Sequence, residues 1–108
     1  MVIIPVAGVV LDGCVLSVIS HKDTYGYELT QKLRQSLDIN ETALYPVLRK
    51  LQKEDCLETY NIAHGGRNRK YYKITDLGKE RLEASRAGWM QYKKNAEDLL
   101  FFKGEENE

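Results

Sequence analysis

An α+β fold, mainly α, is what this sequence predicts: three short helices, a two-stranded β-hairpin and one long C-terminal helix. Three observations lead there. In Asn40–Asp55 (NETALYPVLRKLQKED), Leu44, Val47, Leu48 and Leu51 recur at i, i+3, i+4, i+7, the buried stripe of an amphipathic helix. Two β-favouring runs, Leu57–Ile62 and Arg69–Ile74, flank the turn Ala63–Asn68 with its Gly65-Gly66 pair, the signature of a hairpin. From Asp76 a helical pattern runs to about Lys103, roughly 42 Å at 1.5 Å per residue.

The run from Val2 to Ile19 is very apolar, but no positive charge precedes it and Pro5, Gly8, Asp12 and Gly13 interrupt it. It fits neither a signal peptide nor a span of roughly 20 apolar residues, and reads as an N-terminal arm leading into a buried helix. Asp12–Ser20 forms that first helix, with room to extend back towards Ala7, and presents Val15, Leu16, Val18 and Ile19 to the core. After the polar loop His21–Thr24, Tyr25–Leu37 makes a second helix with Leu29, Leu33 and Leu37 on its buried side. Asp38-Ile39 connects it to the third. There Asn40 is the N-cap, Glu41 meets the positive end of the helix dipole, and Pro46 removes one backbone hydrogen bond. Thr42, Tyr45, Arg49, Lys50 and Lys53 lie off the apolar stripe, available to a partner.

Thr75 caps the final helix. Leu82, Trp89 and Ala96 are seven apart, as are Ser85, Tyr92 and Leu99, offset by three. This is an a/d seam, on a helix too long to bury itself against so small a head. The simplest partner is a second copy of the chain, which would also cover Leu99, Leu100, Phe101 and Phe102. Trp89 is then an interface anchor; the sharper alternative makes it a plate for a planar aromatic ligand between two copies, near the small residues Ser85 and Gly88.

With 108 residues the chain makes one domain at most. The layout divides into an arm and head over 1–75 and a dimerisation helix with an acidic tail over 76–108, compact overall. The net charge is zero, but Arg67, Arg69, Lys70 and Lys73 fall in a stretch without acids, and Glu105, Glu106 and Glu108 follow Lys103 without bases, so local charge is the informative quantity. Cys14 and Cys56 form no ligand cluster with His21 or His64; they read as buried apolar residues of a reduced, cytoplasmic protein without metal or cofactor. No GxSxG, P-loop, GxGxxG or HExxH pattern occurs, so the sequence points away from an enzyme.

Three helices followed by a basic hairpin is the layout of a winged helix-turn-helix, whose third helix enters the DNA major groove while the wing meets the backbone. Thr42, Tyr45, Arg49 and Lys50 suit the first role, and Arg67, Asn68, Arg69 and Lys70 the second. The bland reading of the wing alone is a solvated hairpin whose basic residues keep its edge unpaired. The competing reading of the whole is a winged-helix protein-interaction module with no DNA role, which the neutral net charge favours and the acid-free wing disfavours.

The phrases TYGYEL, ETALYPVLRKLQKEDCLE, GRNRKYYKIT and DLGKERL with the following Trp89 resemble, in that order, the PadR family of regulators named for control of phenolic acid decarboxylase. The resemblance covers about residues 9–100. It implies a short-tailed, homodimeric winged-helix repressor of promoter DNA whose first and last helices build the dimer. Matching positions put Tyr45 and Thr42 on the DNA side, make Arg67, Arg69 and Lys70 the wing contacts, and align Trp89 with a tryptophan that lines a ligand pore in multidrug-binding members. Where the family often has a basic residue before the first helix, this chain has Pro5–Val9; Glu41 stands where small residues or Pro are common.

Overall fold

A computed structural model describes residues 8–105. Helix α1 spans Gly8–His21, strand β1 Thr24–Tyr25, α2 Gly26–Arg34, α3 Glu41–Lys53, β2 Leu57–His64, β3 Arg67–Ile74 and α4 Asp76–Leu100. The antiparallel sheet has the order β1-β3-β2. The expected α+β, mainly α, winged-helix arrangement is therefore present, with a third strand added. The arm before Gly8 and the acids Glu106 and Glu108 lie outside the described residues.

Helix α3 forms where its caps and stripe place it. The Asn40 side chain accepts the Ala43 N–H at 3.0 Å, and Leu44, Leu48 and Leu51 are wholly buried while Val47 is half-buried. Pro46 sits on the solvent side, so water can satisfy the Thr42 carbonyl that its missing N–H leaves free. The helix stops at Asp55, which takes a left-handed conformation (φ 61°). The Cys56 N–H bonds back to the Leu51 carbonyl at 2.8 Å and the Asp55 N–H to that of Gln52 at 3.1 Å, a Schellman closure.

Helix α2 is shorter at both ends than its apolar spacing predicts. At its start Thr24 and Tyr25 pair with Tyr72 and Tyr71 on the free edge of β3. At its end the chain turns after Arg34 and brings Ile39 into the core, leaving Leu37 half-buried beyond the helix.

The head closes around Val15, Leu16 and Ile19 of α1, the leucines of α2 and α3, Cys56, Leu57, Tyr72, Ile74 and Leu82. At its base the Thr75 hydroxyl donates to the Asp55 carbonyl at 2.6 Å and accepts the Gly78 N–H at 3.0 Å. A Cβ on Gly78 would overlap the Cys56 carbonyl, so the start of α4 is seated directly on the α3–β2 junction.

Only Gly78, Leu82 and Ser85 of α4 are buried. Leu82 belongs to the head core. A Cβ on Gly13 of α1 would come within 2.8 Å of the Ser85 Cβ, so two small residues allow α1 and α4 to approach closely. The expected seam is thus split: Leu82 and Ser85 are used within the chain, while Trp89, Tyr92 and Leu99 are exposed and Ala96 half-buried.

Candidate nucleic-acid interface

The exposed side of α3 carries Thr42, Tyr45 and Arg49. Lys50 departs from that group. Its ammonium turns to α1 and pairs with Asp12 Oδ2 at 2.5 Å, which sequence spacing could not show because Asp12 lies 38 residues away. Asp12 is almost wholly buried, and its Oδ1 has no hydrogen-bond partner among the described residues, so Lys50, its one direct ion-pair partner there, carries most of the compensation. One turn further on, Glu54 accepts from Arg81 of α4 at 2.7 Å. The far end of α3 is therefore braced against α1 and α4 by ion pairs.

The wing is a tight hairpin. Gly65 and Gly66 both have positive φ (57° and 79°), as a two-residue turn between twisted strands requires, and His64 pairs with Arg67 at its last rung. Alternation along β3 separates the basic residues that the sequence presents as one group. Arg67, Arg69, Tyr71 and Lys73 share one face of the strand, and Asn68, Lys70, Tyr72 and Ile74 the other. Tyr72 and Ile74 are in the core, so Lys70 and Asn68 extend the core-facing side towards the tip and Arg67 and Arg69 the outer side.

An aromatic ladder supports that outer side. Tyr60 stacks on Tyr71 with ring centroids 5.6 Å apart, and Tyr71 meets Tyr25 edge-on at 5.4 Å. The Arg69 guanidinium lies over the Tyr25 ring at 4.1 Å, a cation–π contact. The Tyr60 hydroxyl donates to Asp23 Oδ2 at 2.6 Å, and that bond, with burial second, pushes its phenol up to about 12. The loop before β1 thus holds the base of the wing.

Helix α3, α2 and the wing converge on one groove. Tyr25, Gly26, Tyr27, Tyr45, Arg69, Lys70 and Tyr72 line a space of about 360 Å³. A Cβ on Gly26 would come within 2.7 Å of the Tyr45 hydroxyl, so that glycine seats the Tyr45 phenol over the first turn of α2. The Lys70 ammonium lies 5.4 Å from the Tyr72 ring centre. Tyr25, Gly26, Tyr27 and Tyr72 are additions to the residues singled out by sequence; the two motifs containing them were visible, but not that Gly26 and Tyr45 interlock. Arg49, Arg67, Arg69 and Lys70 form no ion pair among the described residues, which leaves this side of the head with uncompensated positive charge.

Away from the groove, Trp89 and Tyr92 are exposed with ring centroids 6.3 Å apart, and a Cβ on Gly88 would meet open space among the described residues. Burial pushes both cysteine thiols up, with Cys56 wholly buried and Cys14 half-buried. No cluster of three or more metal-binding side chains occurs among the described residues, and no helix there is long and apolar enough to cross a membrane.

Comparison with known proteins agrees with this geometry. The model of the Transcriptional regulator PadR-like family matches residues 15–84. A solved Streptococcus mutans protein is 34% identical, with 96% of this chain and 98% of that one covered at a TM-score of 0.84. A PadR-like transcriptional regulator from Bacillus cereus is 40% identical, with 89% and 94% covered at a TM-score of 0.75. Bacillus subtilis PadR, solved in complex with operator DNA, is 28% identical, with 69% of this chain and 45% of that longer one covered at a TM-score of 0.64.

Proposed function

The chain belongs to the PadR-like family of transcriptional regulators, and from that premise we propose that it is a repressor that binds operator DNA as a homodimer. Helix α3 enters the major groove with Thr42, Tyr45 and Arg49, and the wing sets Arg67, Asn68, Arg69 and Lys70 against the backbone. The observation that carries this reading is the convergence of the polar face of α3 and the unpaired cations of the wing around one groove. The likeness to a regulator solved on its operator supports it.

Each phosphate neutralised by a cation releases counterions and contributes about 0.9 to the slope of log K against log salt. Replacing Arg67 and Arg69 together by alanine should weaken binding to a mixed-sequence duplex and lower that slope by about two units. Unchanged affinity and slope would sink the wing assignment. Absence of salt-sensitive binding by the unaltered chain would favour a protein-interaction module instead.

The dimer rests on α4. Trp89, Met90, Tyr92 and the run Leu99–Phe102 are exposed, while α1 leaves Leu11, Cys14 and Val18 half-buried at helical spacing. A partner α4 laid across α1 would bury both. In that dimer Trp89 lies where a small planar aromatic effector can stack and release the repressor from DNA. It is the one tryptophan, so quenching of its fluorescence by planar aromatic acids and dyes is the direct test; an unquenched signal at saturating concentrations would remove the effector from this reading.

A further inference from the structure

The groove between α2, α3 and the wing holds more than the contacts assigned above. The first N–H groups of any helix lack intrahelical partners, and at the start of α2 no side chain supplies one: Tyr25, the N-cap residue, is extended and makes no capping bond. The first-turn acid does not occupy the position either. Glu28 accepts the Thr24 hydroxyl at 2.6 Å and lines a separate cleft with Val18, Lys22 and Lys32.

A second observation is independent of the helix. Tyr72 is only 6% exposed, yet it lines the groove, and its hydroxyl makes no hydrogen bond among the described residues. Burial pushes its phenol up, with Tyr45 adding to the rise and Arg49 opposing it, and Tyr72 shares the lining of the groove with Tyr45. A phenylalanine would pack equally well here; the unpaired hydroxyl keeps contact with the solvent of the groove. Tyr45, seated on Gly26, brings a second hydroxyl to the start of α2. Arg69 and Lys70, held over tyrosine rings, bring positive charge without a carboxylate partner.

We propose that this groove is a cradle for one backbone phosphate of bound DNA, held by the N–H groups of Tyr27 and Glu28, the Tyr45 and Tyr72 hydroxyls and the Arg69 guanidinium. The cradle rests on the DNA-binding reading and adds to it an anchor that joins recognition helix, α2 and wing on a single phosphodiester. Tyr25 is a positioning residue: its ring holds the guanidinium at the rim and touches no DNA.

The test uses the full chain and a fluorescent mixed-sequence duplex, with anisotropy titrations at several salt concentrations. Tyr72→Phe keeps the ring and its packing, so its thermal unfolding should match that of the unaltered chain. Its affinity should fall roughly tenfold, as for loss of one hydrogen bond to a charged group, and its salt slope should stay the same because a neutral donor releases no counterion. Arg69→Ala should lower both affinity and slope, the slope by about 0.9. In amide NMR spectra the Tyr27 and Glu28 signals should move when duplex is added, and by much less in Tyr72→Phe. Binding of Tyr72→Phe equal to that of the unaltered chain at every salt concentration, or Tyr27 and Glu28 signals that stay still while those of α3 move, would overturn the cradle and leave the DNA-binding reading intact. No salt-sensitive binding by the unaltered chain would overturn both.

Discussion

Lys50 and Arg49 are neighbours on one helix and both basic, yet the fold gives them different work. Arg49 points to solvent beside Tyr45, while Lys50 compensates a buried carboxylate on α1. Breaking a fully buried pair by removing one partner costs 3–5 kcal/mol; Lys50 is itself half exposed, so water relieves part of the loss and Lys50→Met should cost about 2 kcal/mol in urea unfolding. Replacing Asp12 by leucine as well should recover most of that, since the buried charge goes with it. The salt slope of DNA binding should be unaffected by Lys50→Met and reduced by Arg49→Ala. A Lys50→Met protein of normal stability with a reduced slope would return Lys50 to the DNA contacts that its surface position on the helix suggested. Helical spacing shows which residues leave a stripe, but not which of them meets an acid 38 positions away.

The elements that carry their own period were legible. Helix α3 announced its cap, its stripe and its open face; the wing announced its turn through two adjacent glycines. Strand β1 has only two residues and no period of its own. Its conformation comes from the free edge of β3, so no local pattern could reveal it. The wing shows a related limit: its alternation was readable, but which parity faces the core depended on Tyr72 and Ile74 both being buried beneath the sheet. The junction at Gly78 is another contact between distant segments. Since a Cβ there meets backbone rather than a movable side chain, Gly78→Ala must displace the start of α4 from the α3–β2 turn. The expected cost is 1–3 kcal/mol, the range for overpacking a tight site, read as a lower urea midpoint. Gly88→Ala, with open space around it, should be neutral or slightly stabilising through helix propensity. Equal effects at the two glycines would show that the close approach at Gly78 does not hold in solution.

The described residues measure 71 × 33 × 20 Å, with a radius of gyration of 17.3 Å, whereas a compact domain of similar length has about 13 Å. The excess comes from α4, about 37 Å long at 1.5 Å per residue, of which only the first part is buried. The seven-residue spacing runs along the whole helix and does not mark where the chain's own head ends: Leu82 and Ser85 lie inside it and Trp89, Tyr92 and Leu99 beyond it. The same division gives a clean test of assembly. Glutamate at Trp89 and Leu99 alters side chains already in water, so the fold of each protomer should keep its stability, while two buried charges would oppose pairing of the distal helices. Sedimentation of the unaltered chain should give a dimer and that of the double variant a monomer. A monomer carries one recognition helix and one wing, so it meets half the phosphates, and its salt slope on a duplex should fall to about half that of the dimer. A variant that stays dimeric with an undiminished slope would place the interface elsewhere than on the distal face of α4. A monomer with the full slope would mean that the phosphate contacts belong to one protomer alone and that pairing sets only the spacing of half-sites.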